Sequence, residues 1–258
     1  MSRPSRAAVL ALAALFATGV AHARSWNADR VDMSIVDRTA YGALPEYGWR
    51  GQAWVAGAPG HRYAVRLANH SGARVLVVLS VDGVNAVTGQ TASAGQAGYV
   101  LEPYATTEIT GWRKSLNDVA QFYFADLQDS YAARTGRPRN VGVIGIAVFD
   151  EARPPPPPPP VYLPERREAD AAGAQPRANA APQEAQSIGT GHGDREYSPV
   201  SRTGFVRASR TPVQVSEIRY DDRYALVQRG VIPYGSRDPR APRAFPGSGF
   251  VPDPPPGW

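Results

Sequence analysis

The sequence predicts a mainly β protein. We expect a two-sheet β-sandwich, immunoglobulin-like or jelly-roll, with a proline-rich linker and a small C-terminal β/α extension docking on it. Between residues 52 and 149, short segments with apolar side chains at alternate positions are separated by Gly, Asn and Pro. Only five of the 25 prolines precede residue 151, which marks a change of composition there. The chain has no cysteine, so burial must stabilise the fold without disulfides.

Residues 1–23 are typical of a signal peptide. Arg3 and Arg6 precede an uncharged apolar run from Ala7 to Val20, and Ala21-His22-Ala23 has the small-x-small pattern of a cleavage site. We expect the mature chain to begin at Arg24. The product is then periplasmic or secreted, with no integral membrane segment after cleavage.

Residues 24–150 are predicted to form the sandwich. Asp82-Gly83 favours the tight turn of a hairpin, and residues 129–136 favour one or two helical turns. Gly142 and Gly145 indicate a bulge or a close approach of the backbone. The expected strands cover residues 52–56, 62–69, 74–81, 84–87, 99–102, 106–112, 119–124 and 141–149.

The C-terminal part is predicted in three pieces. Residues 151–187 are expected to be a disordered linker, in which Pro154 to Pro160 favour a polyproline II spacer of roughly 22 Å. Residues 188–234 should pack on the sandwich by extending a sheet or covering its edge. This extension would hold strands at 203–208 and 213–220 and a helix at 224–229, capped by Asp221 or Asp222 and ended by Gly230. Residues 235–258 are expected to be a flexible tail rich in Pro and Arg.

The charge balance bears on the partner. Residues 24–150 carry 12 basic and 11 acidic side chains, and residues 151–258 carry 14 and 12. Such a balanced surface does not favour nucleic acid as a partner, because binding to phosphates requires a dominant positive field.

The glycine-rich segment 188–196 contains the densest polar cluster of the sequence. Its spacing matches neither a dinucleotide loop nor a P-loop, so we expect a turn where the chain re-enters the fold. The candidate catalytic residues here are His192, Asp194 and Glu196. With no Gly-x-Ser-x-Gly motif and no His pair at metal-ligand spacing, the sequence favours a non-enzymatic protein without metal or cofactor.

Aromatic side chains are the other candidate binding groups. Trp49, in the segment 45–50 that we expect to be a loop, offers a ring for stacking on a sugar or a peptide proline. Trp112 is followed by the basic pair Arg113-Lys114, and this combination would suit an anionic ligand or form a solvated strand end. Packing in the core is the alternative for Trp112 and also for Trp54.

The motifs of this chain resemble those of a family of exported, β-rich bacterial proteins. This resemblance covers about two thirds of the chain and implies no activity, ligand or site residue. It rests on Val81-Asp82-Gly83-Val84-Asn85, Gly98-Tyr99-Val100-Leu101, Gly111-Trp112-Arg113-Lys114-Ser115, Asp129-Ser130-Tyr131-Ala132-Ala133-Arg134-Thr135-Gly136, Val141-Gly142-Val143-Ile144-Gly145 and Gly189-Thr190-Gly191-His192-Gly193.

Together these observations predict an exported β-sandwich that acts as a non-catalytic binding or envelope interaction protein, with an envelope protein or a glycan as partner. One alternative is a glycan- or peptide-binding module that uses exposed aromatic side chains. The other is a hydrolase whose site lies at Gly189-Thr190-Gly191-His192-Gly193-Asp194.

Overall fold

A computed structural model describes residues 29–152 and 186–234. The predicted signal peptide, almost all of the predicted proline-rich linker and the predicted tail lie outside these residues. Trp26 and Trp258 also lie outside the described residues.

The first sheet, called here the front sheet, contains seven strands. These strands are β1 (Val31–Asp37), β2 (Gly42–Ala43), β5 (Arg62–Asn69), β9 (Thr106–Ile109), β10 (Gly111–Arg113), β11 (Asp118–Asp126) and β13 (Ile188–Tyr197). Their main order is β10-β11-β5-β1-β2, with β13 paired to β11 and β9 paired to β5. All of these pairings are antiparallel.

The second sheet, the back sheet, also contains seven strands. These strands are β3 (Glu46–Trp49), β4 (Gln52–Gly57), β6 (Val75–Val81), β7 (Val84–Asn85), β8 (Tyr99–Leu101), β12 (Val143–Asp150) and β14 (Gln214–Asp222). Their main order is β3-β4-β14-β12-β6-β7, and β8 pairs with β6. One pairing, between β14 and β4, is parallel.

The core lies between the two sheets, so the predicted β-sandwich is confirmed. Alternate residues of each strand point inward, as the period of two requires. The front sheet contributes Val65, Leu67, Phe122 and Phe124, and the back sheet contributes Val77, Leu79, Ile144 and Ile146; all eight are at most 2% exposed. Burial of these side chains is the main favourable term in a fold without disulfides.

Residues 188–234 supply one strand to each sheet. Strand β13 lies beside β11, whereas β14 lies inside the back sheet between β4 and β12. The sequence predicted that this extension would lengthen a sheet or cover an edge, and β14 instead occupies an interior position. Because β12 and β4 are both paired to β14, the back sheet is continuous only when this strand is present.

Two short helices follow strand ends. Helix α1 (Tyr131–Arg134) falls in the predicted helical stretch, and the side chain of Ser130 accepts a hydrogen bond from Ala133 N at its start. Helix α2 (Arg223–Gln228) begins after Asp222, whose Oδ1 accepts from Ala225 N at 2.9 Å. Gly230 has φ +73°, the left-handed conformation expected just after a helix.

Several sequence predictions were wrong in detail. Residues 45–50 were expected to be a loop but contain β3, and residues 188–196 were expected to be a turn but lie in β13. The strand predicted at 203–208 is absent; that segment makes a single bridge, from Arg207 to Glu151. Strands β1 and β2 were not predicted.

The glycine predictions were correct at two positions. Asp82 and Gly83 have φ values of +52° and +72°, so the hairpin turn has the positive angles that the dipeptide favours. Gly142 allows a close approach, because a Cβ there would lie 1.8 Å from Oε1 of Gln186. Gly145, in contrast, sits in a regular ladder without a bulge.

Over residues 29–152 and 186–234, we find no helix with the length and apolar character needed to cross a bilayer.

Candidate functional site

The glycines of β13 are explained by the side chains that lie against them. A Cβ at Gly191 would lie 2.1 Å from the ring of Tyr123, which is the residue directly opposite on β11. A Cβ at Gly189 would lie 2.5 Å from Ser130 and Val141. The Gly-x-Gly-x-Gly spacing therefore belongs to a strand whose neighbours fill one of its faces, and not to a phosphate-binding loop.

A β-bulge in β13 determines which side chains share a face. Phe122 pairs with His192 and Ala120 pairs with Arg195, so residues 193 and 194 together stand opposite Gln121 alone. Residues directly opposite each other in an antiparallel pair point to the same face. His192 and Arg195 consequently lie on the side of Phe122 and Ala120.

His192 forms one wall of an open cleft. Its ring stacks on Trp112 with centroids 6.1 Å apart and lies 5.3 Å from the ring of Tyr131 in α1. Trp112 itself is only 3% exposed, whereas His192 is exposed. The cleft has a volume of about 310 Å³ and is lined by Asp129, Tyr131, Arg134, Thr135 and His192.

Basic side chains surround this cleft. Partial burial lowers the pKa of His192, and the positive charges of Lys114 and Arg195 lower it further. Arg137 lies over the ring of Tyr131 with its guanidinium carbon 5.8 Å from the centroid, and it is fixed by hydrogen bonds to Gly89 O and Thr135 Oγ1. The walls of the cleft are thus held in position before any ligand binds.

The other two catalytic candidates do not join His192. Glu196 accepts from Arg38 at 2.7 Å and from Gln121 at 2.6 Å, on the opposite face of the front sheet. Burial opposes ionisation of Glu196, but these hydrogen bonds outweigh it, so the pKa of the carboxyl is lowered. Asp194 lies in the bulge and is exposed. The three polar residues close in sequence are therefore separated by the register of the strand.

The candidate binding residues also lie in different parts of the structure. Trp112 is buried behind His192, and Arg113 donates from Nη1 to the carbonyl of Ser198, which holds the segment after β13. Trp49 is half-buried at the edge strand β3, packed edge-on to Trp54 at 6.3 Å, with the Arg50 guanidinium 4.2 Å above its ring. Trp112 therefore supports the cleft from beneath, whereas Trp49 belongs to a separate aromatic cluster.

A His–Asp pair that the sequence pattern does not indicate lies at the C-terminal end of β1. Asp37 is fully buried, its Oδ2 lies 2.9 Å from Nδ1 of His61, and its Oδ1 accepts from the backbone N–H of Thr39 and Ala40. Burial raises the pKa of Asp37, but hydrogen bonds from Ala40, His61 and Thr39 outweigh burial and lower it. Because an ionised carboxylate can only accept, Nδ1 of His61 is the donor in this contact. We find no serine or threonine hydroxyl bonded to His61 among the described residues.

A second missed feature is a buried hydrogen-bond chain that crosses the core. Tyr220 OH donates to Asp82 Oδ1 at 2.7 Å, and Thr190 Oγ1 lies 2.6 Å from both Tyr220 OH and Tyr63 OH. Asp82 also accepts from Thr190 N and Gly142 N. Since all these side chains are fully buried and mutually bonded, the cluster is a structural link between the sheets without access for a ligand.

In residues 29–152 and 186–234, no three His, Asp or Glu side chains come together in an arrangement that would hold a metal ion. Comparison with known proteins returned no match: no family model, no curated protein and no solved structure is similar to this chain.

Proposed function

We propose that this chain is an exported, non-catalytic binding protein, and that the cleft beside His192 receives a small polar ligand with a flat ring face. Export is inferred from residues 1–23 of the sequence. The observation that carries the binding proposal is the pair of rings, His192 and Tyr131, held 5.3 Å apart at the wall of an open cleft.

The chemistry of the cleft suits a sugar or a related ring compound. Aromatic side chains offer a rigid apolar surface to the C–H face of a ring, with little loss of conformational entropy on binding. Asp129 and Arg134 add a hydrogen-bond acceptor and a set of donors at the rim. Because Trp112 and Arg137 hold the two rings from behind, little reorganisation is needed on binding.

A hydrolase is the second candidate, and one observation favours it. His192 and Asp129 line the same cleft, and the lowered pKa of His192 favours the neutral ring that a general base requires. No hydrogen bond joins the two side chains, and Asp194 and Glu196 lie elsewhere, so the binding function has the stronger support.

The test is a ligand screen with cleft variants. We expect a hit from an array of oligosaccharides and proline-containing peptides, and at least tenfold weaker binding of that hit by His192→Ala and Tyr131→Ala, because each removes one stacking wall. Binding is measured by titration calorimetry, with the melting temperature recorded for each variant.

Trp49→Ala is the matched control, since it removes an aromatic ring from a different surface. Its affinity should stay within twofold of the unsubstituted chain. A hit that is lost in Trp49→Ala and retained in His192→Ala would assign binding to the other aromatic cluster and contradict the cleft. Hydrolysis of the hit, absent in His192→Ala, would establish the hydrolase instead.

A further inference from the structure

Three cations without a partner lie at or beside the cleft. In the described part of the chain, the side chains of Arg134, Lys114 and Arg195 make no hydrogen bond and no ion pair. Among the described residues, most other arginines are bonded: Arg38 pairs with Glu196, and Arg74 pairs with both Glu102 and Glu151. Unpaired arginines also occur elsewhere on the described surface, at Arg139, Arg202 and Arg210, but three unpaired cations lie together at or beside the His192 cleft.

The bulge and the helix bring these charges together. The bulge of β13 turns Arg195 to the same face as His192, and Lys114 follows directly after β10, whose Trp112 stacks on His192. Lys114 and Arg195 are near enough for their charges to act on the His192 ring. Arg134, at the end of α1, lines the cleft itself. Against these three cations the lining contributes one carboxylate, Asp129.

We infer that the ligand of this cleft is an acidic saccharide, in which a sugar ring stacks on His192 and Tyr131 while its carboxylate pairs with Arg134. This inference rests on the proposed binding function and specifies its ligand class. A guanidinium matches a carboxylate with two parallel hydrogen bonds, and Arg134 is free to make them. Asp129 fits the same ligand, because a carboxylate accepts hydrogen bonds from sugar hydroxyls. Lys114 and Arg195 would raise the local concentration of an anion without contacting it.

The test uses the full chain without residues 1–23 and two probes that differ only in charge: trigalacturonate and its fully methyl-esterified form. We expect the acid to bind at least tenfold more tightly than the ester in 50 mM salt. Arg134→Gln should weaken binding of the acid at least tenfold and leave binding of the ester unchanged. The matched control is Arg210→Gln, an exposed arginine in the loop before β14, which should change affinity less than twofold.

Each contrary result has a separate meaning. Equal binding of acid and ester, unaffected by Arg134→Gln, overturns the acidic ligand while the ring-binding function stands. The acidic-saccharide inference is also overturned if inorganic phosphate, at the same concentration as the trisaccharide, displaces it from the protein. An anion without a ring would then be sufficient for binding. Absence of binding by both probes rejects the acidic saccharide, and the array hit with its Tyr131→Ala control then decides the binding function independently.

Discussion

At the scale of single residues, the most constrained group is the Asp82 carboxylate. Tyr220 has one hydroxyl hydrogen and donates it to Asp82, so it must accept from Thr190, and Thr190 must in turn accept from Tyr63. Every hydroxyl in the chain thus has a fixed direction while Asp82 is ionised. Burial nevertheless raises the pKa of Asp82 to about 6, because three donors do not fully replace the water that an ionised carboxylate loses.

This raised pKa predicts an unusual pH dependence of stability. The folded carboxyl binds its proton more tightly than the unfolded one, so its contribution to stability is fully present below pH 4 and is lost as the pH rises to about 6. The loss is roughly 3 kcal/mol of unfolding free energy. Asp82→Asn should abolish this slope, whatever its effect on the level of stability. Urea unfolding at a series of pH values between 4 and 7 measures this pH dependence of stability.

Other titrating groups and a control variant help to assign the measured pH dependence to Asp82. Asp37 and Glu196 have pKa values lowered from 3.8 and 4.5, so their contribution to stability is present above those values and is lost as the pH falls through the lowered pKa values, which gives the opposite slope in the acid range. Tyr63→Phe is the control, because it removes a hydroxyl of the same chain that does not contact Asp82; it should lower stability by about 1 kcal/mol and keep the slope. A slope that is the same in Asp82→Asn and in the unsubstituted chain would contradict the assignment to Asp82.

At the scale of elements, the sequence predicts a strand where the alternation of polar and apolar residues lies within the strand itself. Strand β5 was predicted with its observed bounds, because its alternation of polar and apolar side chains is regular. Strand β1 carried the same signal in Val31, Met33 and Ile35, so it was predictable but overlooked. Strand β13 was not predictable, because glycine disfavours strands and its faces are filled by residues from elsewhere, such as Tyr123.

The same distinction applies to the cleft. His192 was a candidate because it stands out in its segment, but Tyr131 and Arg134 lie about sixty positions earlier in the chain. Only the pairing of β13 with β11 brings them together. A single extra residue in one strand, the bulge, separates His192 from Glu196, and Gly193 alone does not distinguish a bulge from the close packing seen at Gly189 and Gly191.

The contact between Gly191 and Tyr123 predicts the effect of a substitution in β13. Gly191→Ala should destabilise the protein by about 2 kcal/mol or more, because its Cβ would overlap the Tyr123 ring and force it to move. Gly204→Ala is the matched control: no atom lies within 4 Å of the added Cβ, and little effect is expected. Thermal unfolding of both variants measures the difference.

A second substitution tests whether the Tyr123 ring causes this destabilisation. In Gly191→Ala with Tyr123→Ala the ring is removed, so the cost of the added methyl group should largely disappear. The double-mutant cycle then shows a coupling of 1 kcal/mol or more. If the two effects simply add, the glycine is required for a reason other than the ring.

At the scale of the whole molecule, the sandwich is assembled from two lengths of chain that are distant in sequence. Residues 29–152 supply twelve strands, and residues 186–234 supply the remaining two, one in each sheet. Within residues 29–152, no strand pairing joins β4 to β12, because β14 lies between them. The first length therefore lacks the strand that makes its back sheet continuous, although it contains most of the core.

This arrangement predicts that the two lengths fold only together. We expect residues 24–152 alone to show no cooperative unfolding transition, because removing β14 exposes apolar side chains and unpaired backbone groups on both β4 and β12. Mixing with a peptide of residues 186–234 should restore the strand signal in far-ultraviolet circular dichroism and give one peak in size exclusion. A peptide with Tyr220→Ala is the control: it keeps the strand but loses a fully buried ring that lies 5.4 Å from Phe124, so it should complement much less well. Cooperative unfolding of residues 24–152 by themselves would contradict the interdependence, since the back sheet would then close without the strand that occupies its interior.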